Sequence, residues 1–373
     1  MVCDWQVHRQ YFCAMKTIRS SRPLVIWLLA GVVMIIIQII LGGITRLTDS
    51  GLSITEWKPI LGTIPPMTDG EWAAAFEKYK QIAQYKDLHF YFTLEDFKSI
   101  YFWEWLHRNW GRLIGIVFII PFCIFLYQRR ISKDMIKPLI ILFLLGGMQG
   151  AIGWIMVQSG LKETNLYVSH IRLAAHFIMA LLLLAYTFWF TLQVQYPNER
   201  GIFAPALKRF TVFILVLLTI QFTYGAFMAG LKAGVFAPTW PDINGGYLPD
   251  MTNDRGRTHS WASSLVNHPL TIHFIHRNLA YLLSFLILIW TVMAAKHRAS
   301  RFFNGARWWP LVFVLIQVTL GILTVINSPY KIPRRWGSFE WMAQLHQFVA
   351  LLLLLSLLLV FYLLHKKRTD PAL

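Results

Sequence analysis

The chain has 373 residues, of which 56% are hydrophobic and only 14% charged. A soluble domain carries about 25% charged residues, so the composition excludes one and points to a membrane protein. The net charge of +17 calls for no nucleic acid, because most of it follows the positive-inside bias of membrane proteins.

Residues 1–23 are basic (Arg9, Lys16, Arg19, Arg22) and precede an apolar run at 24–44. No small-residue cleavage site follows, so the run reads as a retained first span and not as a signal peptide. A hydrocarbon core of about 30 Å needs roughly 20 helical residues. Eight segments qualify: 24–44, 105–127, 137–157, 171–193, 209–229, 273–295, 308–327 and 343–364. Helix is the expected spanning structure, since lipid offers no partner to an open strand edge. The first outer loop holds two amphipathic stretches, EWAAAFEKYKQIAQY and TLEDFKSIYFW, which predict short helices over the N-terminal site.

The N-terminal segment, the loops 128–137, 194–209 and 296–307, and the tail after 364 hold 18 Lys and Arg against four acids. The rest of the chain holds 17 against 14. Lys and Arg in short loops mark the cytoplasmic face, so both termini are expected inside, with some of the basic charge meeting anionic lipid. No long transit peptide is evident, which favours a bacterial inner membrane. Cys3 and Cys13 fall on the reducing side and Cys123 in a span, so no structural disulfide is expected.

The chain repeats itself. The first span carries Gln38 and Gly42, the third Gln149 and Gly153, the fifth Gln221 and Gly225, and the seventh Gln317 and Gly321. Each even span carries a histidine: His107, His176, His276 and His346. The first block runs 42 residues from His107 to Gln149, and the second runs 41 from His276 to Gln317. The expected fold is therefore all-α, with eight transmembrane helices in two tandem pseudo-symmetric four-helix bundles. The N-terminal bundle covers 24–193 with a long outer loop at 45–104. A linker at 194–208, a C-terminal bundle at 209–364 and a tail at 365–373 complete it. Close helix contact is the simplest use of a small residue in Q-x3-G.

Even spans run from outside to inside, so the four histidines form a layer near the outer face, two per bundle. A histidine at a span end is ordinarily an interfacial residue, but ionisable groups within spans are rare and usually functional. Zinc fits poorly: there is no HExxH and no outward cysteine. One histidine from each of two facing helices suits the axial positions of a haem, whose iron already has four equatorial nitrogens. Trp103, Trp105, Trp110 and Trp154 suit a flat macrocycle and equally an interfacial belt. Arg46, Arg108, Arg112, Arg172 and Arg277 stand at the same level. They are candidate partners of haem propionates, which arginine can meet bidentately, or side chains that snorkel to headgroups. His170 and His273 are weaker alternates to His176 and His276.

The halves differ three residues before the first histidine of each. Glu104 precedes His107, whereas His273 precedes His276, and residues at this spacing share a helix face. Pairing with Arg108 or Arg112 would be a structural use for Glu104. The functional reading is a reacting haem in the N-terminal bundle and a redox haem in the C-terminal one. A di-haem b electron-transfer (quinol) protein and a haem transporter or chaperone are the rival readings.

GGITRLTDSGLSITEWKPILGTIPPM, EWLHRNWGR, VSHIRLAAHF, GAFMAGLKAGVFAPTWPDINGGYLP, the HR at 276–277 and the LHQ at 345–347 resemble the haem A synthase family (CtaA-like, mitochondrial-type branch), over about residues 24–364. The resemblance implies oxidation of the C8 methyl of haem O to the formyl group of haem A for cytochrome c oxidase. It implies a haem b cofactor ligated by His276 and His346, a substrate haem held by His107 and His176, and Glu104 as the residue required for activity. Arg277 would attend the cofactor, and Arg46, Arg108 and Arg112 the substrate. The implied partners are haem O synthase (a farnesyltransferase) and an electron-transfer protein, with a homo-oligomer as a further candidate. Many bacterial relatives carry a cysteine pair in the first outer loop; residues 45–104 have none, so a disulfide-linked mechanism has no counterpart here.

Overall fold

The computed structural model describes residues 22–57, 61–162, 164–197, 202–249, 253–254, 257–258, 260–297, 299–330 and 336–365. The basic segment before Arg22, with Cys3 and Cys13, and the tail beyond His365 lie outside them.

Eight helical segments among the described residues are long and apolar enough to cross a membrane. They are α1 (Arg22–Leu47), α3 (Leu94–Tyr127), α4 (Lys133–Gly160), α5 (His170–Gln195), α6 (Pro205–Gly230), α8 (Pro269–Ala295), the stretch Arg301–Tyr330 and α11 (Ser338–His365). The Arg301–Tyr330 stretch contains α9 (Arg301–Ala306) and α10 (Trp309–Asn327). Short helices α2 (Asp69–Tyr79) and α7 (Trp261–Asn267) and a two-residue ribbon, Asn253–Asp254 with Arg257–Thr258, lie in the connections.

All eight spans coincide with the apolar segments read from the sequence, but the helices run longer. The largest extension is in α3, which starts at Leu94 and not near residue 105. A capping box explains the early start: Thr93 accepts from the Asp96 amide while Asp96 accepts from the Thr93 amide, satisfying orphan donors at both ends of the turn. TLEDFKSIYFW is thus the outer extension of a span and not a separate helix, and His107 sits well inside α3. EWAAAFEKYK forms α2 as expected, capped by the same device with Thr68 and Glu71. The linker is shorter than expected, because α5 persists to Gln195 and α6 begins at Pro205.

Each half repeats the same packing. α1 lies against α3 and α5, and α4 against α5; α6 lies against α8 and α11, and α10 against α11. The halves join where α5 meets α6 and α11, and where α1 meets α11. Leu24, Leu184, Ile214, Trp290, Leu351 and Leu357 fill the centre, and Trp290 Nε1 donates to Thr211 Oγ1 at 2.8 Å. Ile116, Ile119, Ile120 and Ile124 of α3 are exposed, the arrangement that lipid, and not water, favours. Leu52, Phe76, Tyr79, Phe97 and Ile100 form a second cluster that packs the first outer loop onto α3.

Candidate functional site

Gln38 and Gly42 stand one turn apart on α1 and therefore share a face. Both meet one imidazole. Gln38 Nε2 donates to the His107 carbonyl at 3.1 Å and lies 3.4 Å from the ring Nε2, while a Cβ added to Gly42 would come within 3.0 Å of His107 Cε1. Gln149 repeats this on α4, donating to the His176 carbonyl at 3.2 Å and lying 3.2 Å from its Nδ1. A Cβ at Gly153 would fall 2.7 Å from His176 Cε1. On α6, Gln221 Nε2 donates to the His276 carbonyl at 3.0 Å, and a Cβ at Gly225 would meet His276 Cε1 at 3.2 Å. On α10, Gln317 Nε2 lies 3.2 Å from His346 Nε2, and a Cβ at Gly321 would meet its Cε1 at 3.0 Å. This last pair adds a bond from His346 Nδ1 to the Gln317 carbonyl at 3.0 Å. The glycine of each Q-x3-G thus makes room for a ring, which is more specific than the helix contact expected from sequence.

All four histidines line one cavity of about 940 Å³ that reaches through both halves. The His276 and His346 ring centroids are 6.4 Å apart with their planes at 75°. Among the described residues, Nδ1 of His107 and His276 and Oε1 of Gln38, Gln149, Gln221 and Gln317 are buried without a hydrogen-bond partner. Orphaned polar atoms of this kind in a large cavity mark an incomplete site. No group of three or more His, Cys, Asp or Glu among the described residues is placed to hold a metal. The donor set is therefore paired imidazoles, which a metal carried in its own macrocycle completes. The residues fit a haem.

Glu104 lines the cavity and is 2% exposed. Its Oε2 accepts from Ser53 Oγ at 2.7 Å and from the Ile54 amide at 2.8 Å, and its Oε1 pairs with Arg108 Nη2 at 2.5 Å. Arg108 continues outward, donating to the carbonyls of Ile54 at 2.9 Å and Glu56 at 3.2 Å. The pairing expected as the structural use of Glu104 therefore exists, with Arg108; Arg112 instead donates to Asn109 Oδ1 at 2.7 Å. In the other half His273 takes the place of Glu104. Its Nε2 lies 3.1 Å from Arg277 Nη2, and Arg277 donates to the carbonyls of Thr239 and Asp242 at 2.9 and 2.6 Å. Arg108 and Arg277 thus tie down the outer loops, a role that sequence did not disclose.

Arg46 lines the cavity but donates to the Ala229 carbonyl at 2.6 Å, joining α1 to α6 across the halves. Lys232 and Asp49 add an ion pair of 2.9 Å at the same junction. Arg172 donates to the Ile155 carbonyl at 2.8 Å. Of the tryptophans named above, Trp154 lines the cavity, whereas Trp105 and Trp110 donate to the Thr63 and Met34 carbonyls. His170 bonds to the Val266 carbonyl at 2.8 Å and packs against Phe227, outside the cavity lining.

Residues 25–358 match the COX15-CtaA family, described as cytochrome oxidase assembly protein. The chain belongs to this family. A protein of Flavobacterium psychrophilum named heme A synthase is 38% identical over 338 residues, covering 90% of this chain and 96% of the relative. Proteins of the same name from Bradyrhizobium diazoefficiens and Rhodopseudomonas palustris are 42% and 43% identical. The first covers 81% of this chain and 83% of the relative, the second 82% of each. With eight membrane-spanning helices and bacterial relatives of this kind, the chain is a multi-pass protein of the bacterial inner membrane.

Proposed function

We propose that the chain is a haem A synthase, oxidising the C8 methyl of haem O to the formyl group of haem A for assembly of cytochrome c oxidase. The observation that carries this reading is the difference between two otherwise matched imidazole pairs: only the N-terminal pair has a buried carboxylate, Glu104, on the cavity wall. The assignment follows from it. His107 and His176 hold the substrate haem, and His276 and His346 hold a haem b cofactor, which supplies one-electron redox chemistry when bound. With both termini in the cytoplasm, this layer lies near the outer face.

Glu104 has the positioned chemistry. Ser53, the Ile54 amide and Arg108 fix both its oxygens, so no reorganisation is needed when charge changes beside it. Removing electrons from a methyl conjugated to a macrocycle builds positive charge next to the ring. A preorganised carboxylate stabilises such charge electrostatically and can hold the departing proton. Arg108, bonded at once to Glu104 and to the outer loop, keeps that carboxylate oriented.

Extraction of haems from cells carrying the wild-type chain or Glu104→Ala tests the proposal. Haem A with the wild type and accumulated haem O with the variant are expected. Two tight haem b groups, with no haem O or A, would instead support the electron-transfer reading.

A further inference from the structure

Resting on the assignment of the four histidines as haem ligands, we propose that Gln38, Gln149, Gln221 and Gln317 are the positioning residues of those ligands. Each holds one imidazole against the wall of the cavity, and so sets the geometry in which iron is taken.

The contact recurs four times, once for every ligand and in both halves. In three of the four, Gln Nε2 donates to the backbone carbonyl of the histidine it attends, at 3.0–3.2 Å. That carbonyl lies in a helix, so the amide is fixed to the ligand's own backbone as well as lying against its ring. The fourth, Gln317, engages the ring from both ends, through its side chain at 3.2 Å and its carbonyl at 3.0 Å. The matched glycine, one turn along the same helix face, leaves the ring its space, since an added Cβ would fall 2.7–3.2 Å from each Cε1. A ring seated against an amide and a glycine of one helix face has little rotamer freedom left to lose when iron binds.

The unpartnered Oε1 atoms separate this role from helix packing. A buried amide kept only to join two helices would satisfy both its ends, because a half-satisfied buried polar group is destabilising. All four glutamines leave the same end free. Iron-ligating histidines need a partner for the ring nitrogen that does not bind the metal, and losing such a partner weakens metal affinity about 10–100-fold. His346 already has that partner in the Gln317 carbonyl. His107 and His276 have none at Nδ1; the Gln38 and Gln221 amides stand instead at the other ring nitrogen, 3.4 and 3.5 Å from Nε2.

The test uses the full-length chain, purified in detergent from a haem-depleted host and titrated with iron protoporphyrin IX. Gln38→Leu and Gln221→Leu preserve volume and remove the amide. They are expected to lower affinity at least about tenfold and to convert part of the low-spin spectrum to high spin. The thermal stability of their haem-free forms should be unchanged or raised, since an apolar group replaces a half-satisfied one. Wild-type affinity and spin state in both variants would overturn the proposal, as would a loss of affinity matched by a loss of haem-free stability. His276→Ala and His346→Ala run in parallel. If they keep the low-spin spectrum, the ligand assignment itself fails; if they lose it while the leucine variants do not, the glutamine role alone fails.

Discussion

Glu104 and His273 occupy the same place in the two halves. Each stands four residues before an arginine, contacts it on a cavity wall, and lies beneath an outer loop whose carbonyls that arginine grips. Around them the imidazoles, glutamines and glycines correspond one for one. At this position the difference is one of charge. A carboxylate in this position is stable only while it is paired, because leaving its partner charge buried and alone is destabilising by about 3–5 kcal/mol. Here Arg108 is that partner, and Ser53 and the Ile54 amide add donors that a neutral imidazole does not need. The two halves share these contacts, and the N-terminal half is distinguished by how its loop supports one anion.

The largest expected effect breaks that distinction directly. Glu104→Gln keeps the volume and most of the hydrogen-bonding reach but removes the charge. It should lower haem A formation by about 10²–10³-fold, the scale of a lost preorganised electrostatic contact. His273→Gln should lower it less than about tenfold, since no charge is lost there. Equal losses, read as haem A per mole of chain, would show that the halves do not differ in the way described. Next in size is the identity of the pairs. His276→Ala and His346→Ala should each abolish the low-spin cofactor spectrum, whereas His107→Ala and His176→Ala should preserve it and end turnover. Optical spectra of the four purified variants decide this, and the opposite pattern would exchange the two halves.

The glycines give a graded measure of how tightly each ring is held. Alanine at Gly153 places a Cβ 2.7 Å from His176, against 3.0 Å for Gly42 and Gly321 and 3.2 Å for Gly225. Overpacking typically destabilises by about 1–3 kcal/mol. Haem retention and thermal stability should therefore fall most in Gly153→Ala and least in Gly225→Ala. Gly115→Ala, where nothing lies within 4 Å of the new Cβ, should be neutral. A flat series would mean that the rings move aside freely.

Much of this was readable in the residues. The eight spans followed from hydropathy, and the repeat of glutamine, glycine and histidine was visible as spacing alone. The asymmetry at Glu104 and His273 needed only the alignment of one half with the other. What spacing could not disclose was the partner of each motif. Gln38 and Gly42 on one helix and His107 on another are separated by a long loop, so their contact is a product of packing. The arginines stayed open for a related reason. A guanidinium at a membrane boundary suits propionates, lipid headgroups and loop carbonyls alike, and only the fold shows that Arg108 and Arg277 reach carbonyls. The early start of α3 was signalled by Thr93 and Asp96, a capping box preceding an amphipathic stretch that hydropathy alone assigned to a loop.

The smallest expected effect concerns the outer loops, and it compares how each is secured against acid. In the C-terminal half, Asp242 Oδ1 accepts from the Gly245 amide at 3.0 Å, across a turn whose Asn244 and Gly245 have φ of 54° and 87°. That bond, with the Thr239 hydroxyl, holds the Asp242 carboxyl below its ordinary range. In the N-terminal half, the Met67 and Thr68 amides do the same for Glu71 at the start of α2. A carboxyl depressed in the folded state contributes stability that is present above its unfolded pKa, about 4, and lost as pH falls through the lower folded value. Both groups are open to solvent, so the loss should be local. Hydrogen exchange should show the Gly245 and Met67 amides protected at pH 6 and released near pH 3. Asp242→Ala should release Gly245 at both pH values while leaving Met67 unchanged. The C-terminal turn should nevertheless stay docked in acid, because Arg277 holds it through the Thr239 and Asp242 carbonyls, neither of which takes up a proton. Undocking of that turn at pH 3 would show that the carboxylate, and not the arginine, is what secures the loop.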